Sequence, residues 1–176
     1  MPFPDVGAMD ALSDKVAFAA ACAAQGLRTP RQTVVDCSEL AHGDPGIDIP
    51  FPLVGKAAVG SDWDAAEFPG KRKIYFLDGP EDLASLWSDL RGAGYASTFL
   101  IQERIPGEDE AMRSVTAYMA SNGEMTMIGS ARVLLEDHAP TLIGNPVAMI
   151  TEPFPELWDG AERLLGAAGY RGFANF

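Results

Sequence analysis

Lysine, histidine and cysteine are scarce in this sequence, and each scarcity closes off a class of function. Only four of the 13 basic residues are lysines, against 25 acidic residues, and the net charge is −12 at neutral pH. A chain this acidic is repelled by phosphate backbones and anionic surfaces, so neither nucleic acid nor membrane is expected as a partner. Two cysteines, Cys22 and Cys37, make no disulfide framework. With His42 and His138 they have no zinc-ligand spacing, so no metal site is expected from them. No apolar run approaches the length of about 18 residues that a spanning helix needs. The Ala-rich stretch 16–24 follows Asp5, Asp10 and Asp14 rather than basic residues, which argues against a secretory signal. The expectation is a soluble cytoplasmic domain. There is also no Gly-x-Gly-x-x-Gly fingerprint, no phosphate-binding Gly-x-x-x-x-Gly-Lys loop and no serine nucleophile elbow.

What is present is a globular composition, 47% hydrophobic and 22% charged over 176 residues, with 18 glycines and 13 prolines to make turns. Residues 1–12 read as a leading segment, and Ser13 as the N-cap of a helix through Val16, Ala19, Ala20 and Ala23 that closes at Gly26. Gln32 to Asp36 is a short β-branched strand, followed by a loop over 42–52. Leu53 to Val59 and Lys73 to Leu77 read as strands around a loop over 61–70 that holds Trp63. A helix opens at Pro80 with Glu81 and Asp82 in its first turn and carries the stripe Leu83, Leu86, Trp87, Leu90. Thr98 to Arg104 is an apolar run that predicts a buried strand. Ser121-Asn122-Gly123 between alternating segments predicts a hairpin. Residues 140–153 read as irregular or as a strand with prolines, 155–168 as a helix, and Gly172 onward as a strand. Strands and helices in mixed order with a clear hairpin indicate an α+β fold rather than a doubly wound sheet.

The few lysines draw the functional reading. Lys15 sits in the first turn of a helix, where a cation is disfavoured by the helix dipole. Lys56 interrupts the apolar strand Pro52-Leu53-Val54-Gly55-Lys56-Ala57-Ala58-Val59, where a lysine must pair or reach an anion. On residue type alone, a solvated position is the favoured reading for either lysine. His138, in Glu136-Asp137-His138-Ala139-Pro140, reads as part of a solvated loop.

Five segments in order change that weighting. Ser13-Asp14-Lys15-Val16-x-Phe18 with Gly26-Leu27-x-Thr29-Pro30 resembles the opening of an ATP-grasp domain. Pro52-Leu53-Val54-Gly55-Lys56 resembles that family's lysine strand, and Phe99 to Asp109 its hinge strand between two lobes. Ser121-Asn122-Gly123 matches the hairpin that follows, and Gly169-Tyr170-x-Gly172-Phe173-Ala174 the start of the next strand. The similarity covers residues 12–176, and its nearest branch is that of the carboxylate–amine ligases and carbamoyl-phosphate synthases.

The resemblance implies an ATP-grasp fold of two α+β lobes with a nucleotide cleft between them. Its expected divisions are 1–50 for the leading segment and lysine helix, 51–105 for the first lobe and 106–176 for an incomplete second lobe. It implies ATP as the cofactor and small-molecule carboxylate and amine (or thiol) substrates, joined through an acylphosphate. Lys15 and Lys56 would sit on the phosphates, and backbone groups of Gln102, Glu103 and Ile105 on the adenine edge. Asp109, then Glu110 and Glu108, would accept from the ribose hydroxyls, and Arg132 would face phosphates or substrate. Two departures accompany these matches. Only Gly60 follows Lys56 where many members carry a glycine-rich loop, and the family's magnesium ligands come after the position of Phe176. The resemblance therefore implies a C-terminally truncated fragment with its Mg ligands beyond Phe176. A degenerate, non-catalytic module in regulation or protein association is the alternative, and an unrelated α+β domain with solvated lysines is a third.

Overall fold

The computed structural model describes residues 4–176, so the first three residues of the leading segment lie outside the described residues. In chain order the elements begin with α1 (Val6–Ser13), α2 (Lys15–Ala24), β1 (Gln32–Asp36), β2 (Leu53–Ala57), α3 (Gly60–Ala65) and β3 (Tyr75–Leu77). They continue with α4 (Pro80–Gly92), β4 (Thr98–Glu103), β5 (Arg113–Met119), β6 (Met125–Glu136), β7 (Pro146–Thr151), α5 (Pro155–Ala167) and β8 (Gly172–Asn175). Short 3-10 turns lie at Cys37–His42 and Asp109–Ala111. The chain is α+β, with two antiparallel four-stranded sheets ordered β1-β4-β2-β3 and β7-β6-β5-β8.

In the first sheet the apolar run of β4 lies between β1 and β2, and all four of its central residues are buried. Phe99 and Ile101 enter a core with Leu53, Leu86, Trp87 and Leu90, so the i, i+3, i+4, i+7 stripe of α4 closes on one face of β4. The start of α4 is held by Asp82, whose carboxylate accepts from the Asp78 and Gly79 amides at 2.8 and 3.2 Å. Gly55 permits the close approach of β2. A Cβ there would stand 3.0 Å from both Leu86 Cδ2 and Phe99 Cε1. The expected loop around Trp63 contains α3 instead. Trp63 is buried edge-on against Phe68 and Tyr95 at ring separations of 5.5 and 5.2 Å, and this packing holds a six-residue helix that local sequence would not.

In the second sheet, β5 and β6 form the expected hairpin. Asn122 Oδ1 accepts from the Glu124 amide at 3.1 Å, and Gly123 takes φ +90°. The proline-containing stretch before α5 forms β7, an edge strand with Pro146 at its first position, where a missing amide costs nothing. Ser13 is not a cap. It ends α1, and Asp14 caps α2 by accepting from the Ala17 amide at 2.7 Å. The carboxylate supplies both an acceptor and the charge favoured at a helix start.

The chain divides into two compact units, one of residues up to Thr29 with Gly107–Asp137 and Gly144–Phe176, the other of Pro30–Pro106 with His138–Ile143. The stretch 1–50 is therefore not one piece. Its helices belong with the second sheet, where Phe18 lies 6.1 Å from Phe176 and Arg163 Nη1 donates to Gln25 O at 2.7 Å. Its strand β1 belongs with the first sheet, in register with β4 from Gln32↔Gln102 to Asp36↔Thr98.

Replacing Gly55 by Val should destabilise the protein by about 1–3 kcal/mol, because Leu86 and Phe99 must move. Gly129→Ala, where a Cβ meets nothing within 4 Å, should stay within about 0.5 kcal/mol of wild type. Urea denaturation of both variants checks the contrast.

Candidate functional site

Alternation along β2 puts Leu53, Gly55 and Ala57 on the core face and leaves Val54 and Lys56 half-buried on the other. The register builds two rows across that second face, Val34–Leu100–Lys56 and Gln32–Gln102–Val54–Phe76. Gln102 is only 7% exposed, and its Nε2 donates to Gln32 Oε1 at 2.6 Å. The structure thus brings Lys56 and Gln102 onto one sheet face, whose other members are mostly apolar.

Glu103 and Arg104 make the last sheet-type bonds of this strand, through amides that donate to Arg31 O at 2.9 Å and Pro52 O at 3.1 Å. Ile105, 62% exposed, is the first position past the sheet. The Glu103 side chain turns to Arg31, accepting from its amide at 3.1 Å and from its Nε at 2.8 Å. These hydrogen bonds hold the Glu103 carboxyl below the usual glutamate range. Nothing in the sequence marked Arg31 for this part, since the partners are 72 residues apart.

The unit of the second sheet carries the remaining candidates. Lys15, the first residue of α2, lines a groove of about 460 Å³ together with Phe18, Tyr170, Asn175 and Phe176. Asp109 is partly buried, and its Oδ2 accepts from the Glu136 amide at 2.9 Å, which ties the Asp109–Ala111 turn to the end of β6. Glu110 and Glu108 are exposed. Arg132, opposite Arg113 in the β5–β6 register, donates from Nε to Glu152 Oε2 at 2.8 Å. That bond, with the fields of Glu152 and Glu110, holds the guanidinium above its ordinary pKa. Glu152 was not foreseen, because it stands in the stretch read as irregular or as a strand with prolines.

Burial pushes the Cys37 thiol up to about 12, so it is protonated at neutral pH and no thiolate forms there. Among the described residues, no three His, Cys, Asp or Glu side chains come together to hold a metal ion. No helix among them is long and apolar enough to cross a membrane.

No family model matches the chain. A D-aspartate ligase of Enterococcus faecium (strain Aus0004) is 29% identical over 177 residues, an alignment that covers 99% of this chain and 42% of the relative. Among solved structures, a biotin carboxylase–β,γ-ATP complex from Campylobacter jejuni matches with TM-score 0.69 at 19% identity, over 99% of this chain and 38% of that one. The chain has the ATP-grasp fold. An L-amino acid ligase from Bacillus licheniformis, with TM-score 0.65 at 14% identity, shares the ATP-grasp fold over 99% of this chain and 38% of its own. The chain thus spans less than half the length of these ATP-grasp proteins.

The Arg31–Glu103 contact fixes a pH dependence in this ATP-grasp chain. Because the folded carboxyl titrates lower than the unfolded one, its stabilisation is present above the unfolded value of about 4.3 and is lost as pH falls through the folded value. The difference in Tm between wild type and Glu103→Gln should be constant from neutral pH to about pH 5 and close below about pH 4. Melting curves across that range measure it.

Proposed function

We propose that this chain is the ATP-binding region of a ligase that activates a small-molecule carboxylate for attack by an amine or a thiol. The observation that carries the reading is Lys56. A half-buried lysine stands on the face of the first sheet that is turned away from the core, beside the strand that leads to Ile105. An ammonium in that setting answers the charge of a phosphate. The similarity to a D-aspartate ligase supports the ligase class, and the biotin carboxylase match, solved with a β,γ-ATP ligand, supports the nucleotide.

In this reading Lys56 and Lys15 contact the phosphates, and the backbone from Glu103 to Ile105 meets the adenine edge. Asp109 and Glu110 accept from the ribose hydroxyls. The bond from the Glu136 amide to Asp109 Oδ2, 2.9 Å, fixes this carboxylate in its turn. Arg132 faces the phosphates or the carboxylate. The reaction proposed begins when a substrate carboxylate oxygen attacks the γ-phosphorus and ADP leaves. The amine nitrogen then adds to the acyl carbon, loses its proton and expels inorganic phosphate. The cationic side chains hold charge that develops on the transferred group. Magnesium, which the resemblance also implies, finds no ligand set among the described residues.

Lys56→Ala should abolish the thermal shift produced by ATP, whereas Lys71→Ala should preserve it. Lys71 is a suitable comparison because its Nζ donates to Ala66 O at 2.7 Å and lies 5.4 Å from the Trp63 ring, a structural position. At about 100 times its Kd a ligand stabilises by about 2.7 kcal/mol, several degrees in Tm for a domain of this size. Equal losses of the shift in both variants would contradict the assignment.

A further inference from the structure

We infer that Glu152 is a positioning residue, which holds Arg132 so that the terminal NH2 groups of its guanidinium present a fork to an oxyanion. The inference rests on the reading of Arg132 as an anion contact. Glu152 is fixed by its main chain as well as by its side chain. Its amide donates to Ser130 O at 3.1 Å, and its carbonyl accepts from Ser130 Oγ at 2.7 Å. Ser130, buried within β6, accepts in turn from the Phe154 amide at 3.0 Å and from Trp158 Nε1 at 2.9 Å. The residue that reaches Arg132 is thus bolted to the strand two positions before it.

Stability does not account for this arrangement. The Arg132 and Glu152 side chains are 30% and 41% exposed, and ion pairs so open to water contribute little to folding. The contact geometry is also partial. Glu152 takes Nε alone, whereas a pair built for strength uses the two-pronged fork. Pinning Nε fixes the guanidinium plane and leaves the two NH2 groups to a second, bidentate partner. A carboxylate beside an anion contact also opposes anion binding through its charge. Charge alone and positioning therefore predict opposite signs when Glu152 is removed.

The test is a calorimetric ATP titration of wild type, Glu152→Ala, Glu152→Gln, Arg132→Ala and the double variant Glu152→Ala/Arg132→Ala at one ionic strength. The 15N resonance of the Arg132 Nε–H is recorded in the variants that keep Arg132. Positioning predicts that Glu152→Ala weakens ATP binding by about tenfold, that Glu152→Gln, which keeps an acceptor, restores most of it, and that Glu152→Ala adds nothing once Arg132 is gone. Unchanged or tighter binding in Glu152→Ala overturns the inference, as does an equal further loss in the Arg132→Ala background. If wild type binds no ATP, the ligase reading fails. The Nε–H signal then decides the positioning claim: loss in Glu152→Ala with recovery in Glu152→Gln sustains it, and persistence in Glu152→Ala overturns it.

Discussion

The approach of β2 to β4 is the constraint on which the rest of the first sheet depends. Strand β4 is paired along both edges and buried on both faces, so its side chains must be apolar or hydrogen-bonded wherever they point. Phe99 and Ile101 fill the core side, while Leu100 and the hydrogen-bonded Gln102 occupy the other. Gly55 removes the side chain that would strike Phe99 and Leu86, and the next residue, turned to the opposite face, is Lys56. The packing requirement at one position thereby sets the direction of the lysine at the next, because a one-residue slip would drive an ammonium into the core.

The second sheet meets a different requirement, that of holding charged groups at fixed places along its strands and turns. Asp14 caps α2 and sets Lys15 as its first residue, a position the helix dipole makes unfavourable for a cation. Helix stability does not explain a lysine there. Asp109 and Glu152 serve in a similar way, since each ties a turn to β6 through a short bond, one to the Glu136 amide and the other to Arg132. In both places a carboxylate orders the backbone or side chain around a group proposed to meet the ligand.

Much of this architecture was legible before the structure. The β-branched run of β1, the apolar run of β4, the capped stripe of α4 and the Asn-Gly hairpin each declare themselves through local chemistry, and each formed as read. The ATP-grasp fold was expected from short motifs in the right order. What was not legible depends on distance. Helix α3 forms because Trp63 finds Tyr95 and Phe99 across the core, and no local pattern announces that. The division of residues 1–50 between two units is decided by contacts such as Phe18 with Phe176. The pairing of Arg132 with Glu152 runs diagonally across the β6–β7 ladder, where Ile150 stands opposite Arg132, and no local pattern in the sequence fixes that register.

The central claim is that this chain binds ATP through the open face of the first sheet and the backbone that leaves it. Mapping 15N amide shifts of the 176-residue chain during an ATP titration examines that claim directly. The account predicts that the amides of Lys56 and Ile105 and their neighbours in 53–57 and 102–105 move first and saturate together, with Lys15 following the same isotherm. Amides in those segments that stay still at saturating ATP, or shifts confined to the acidic groove between Asp36 and Pro45, would contradict it.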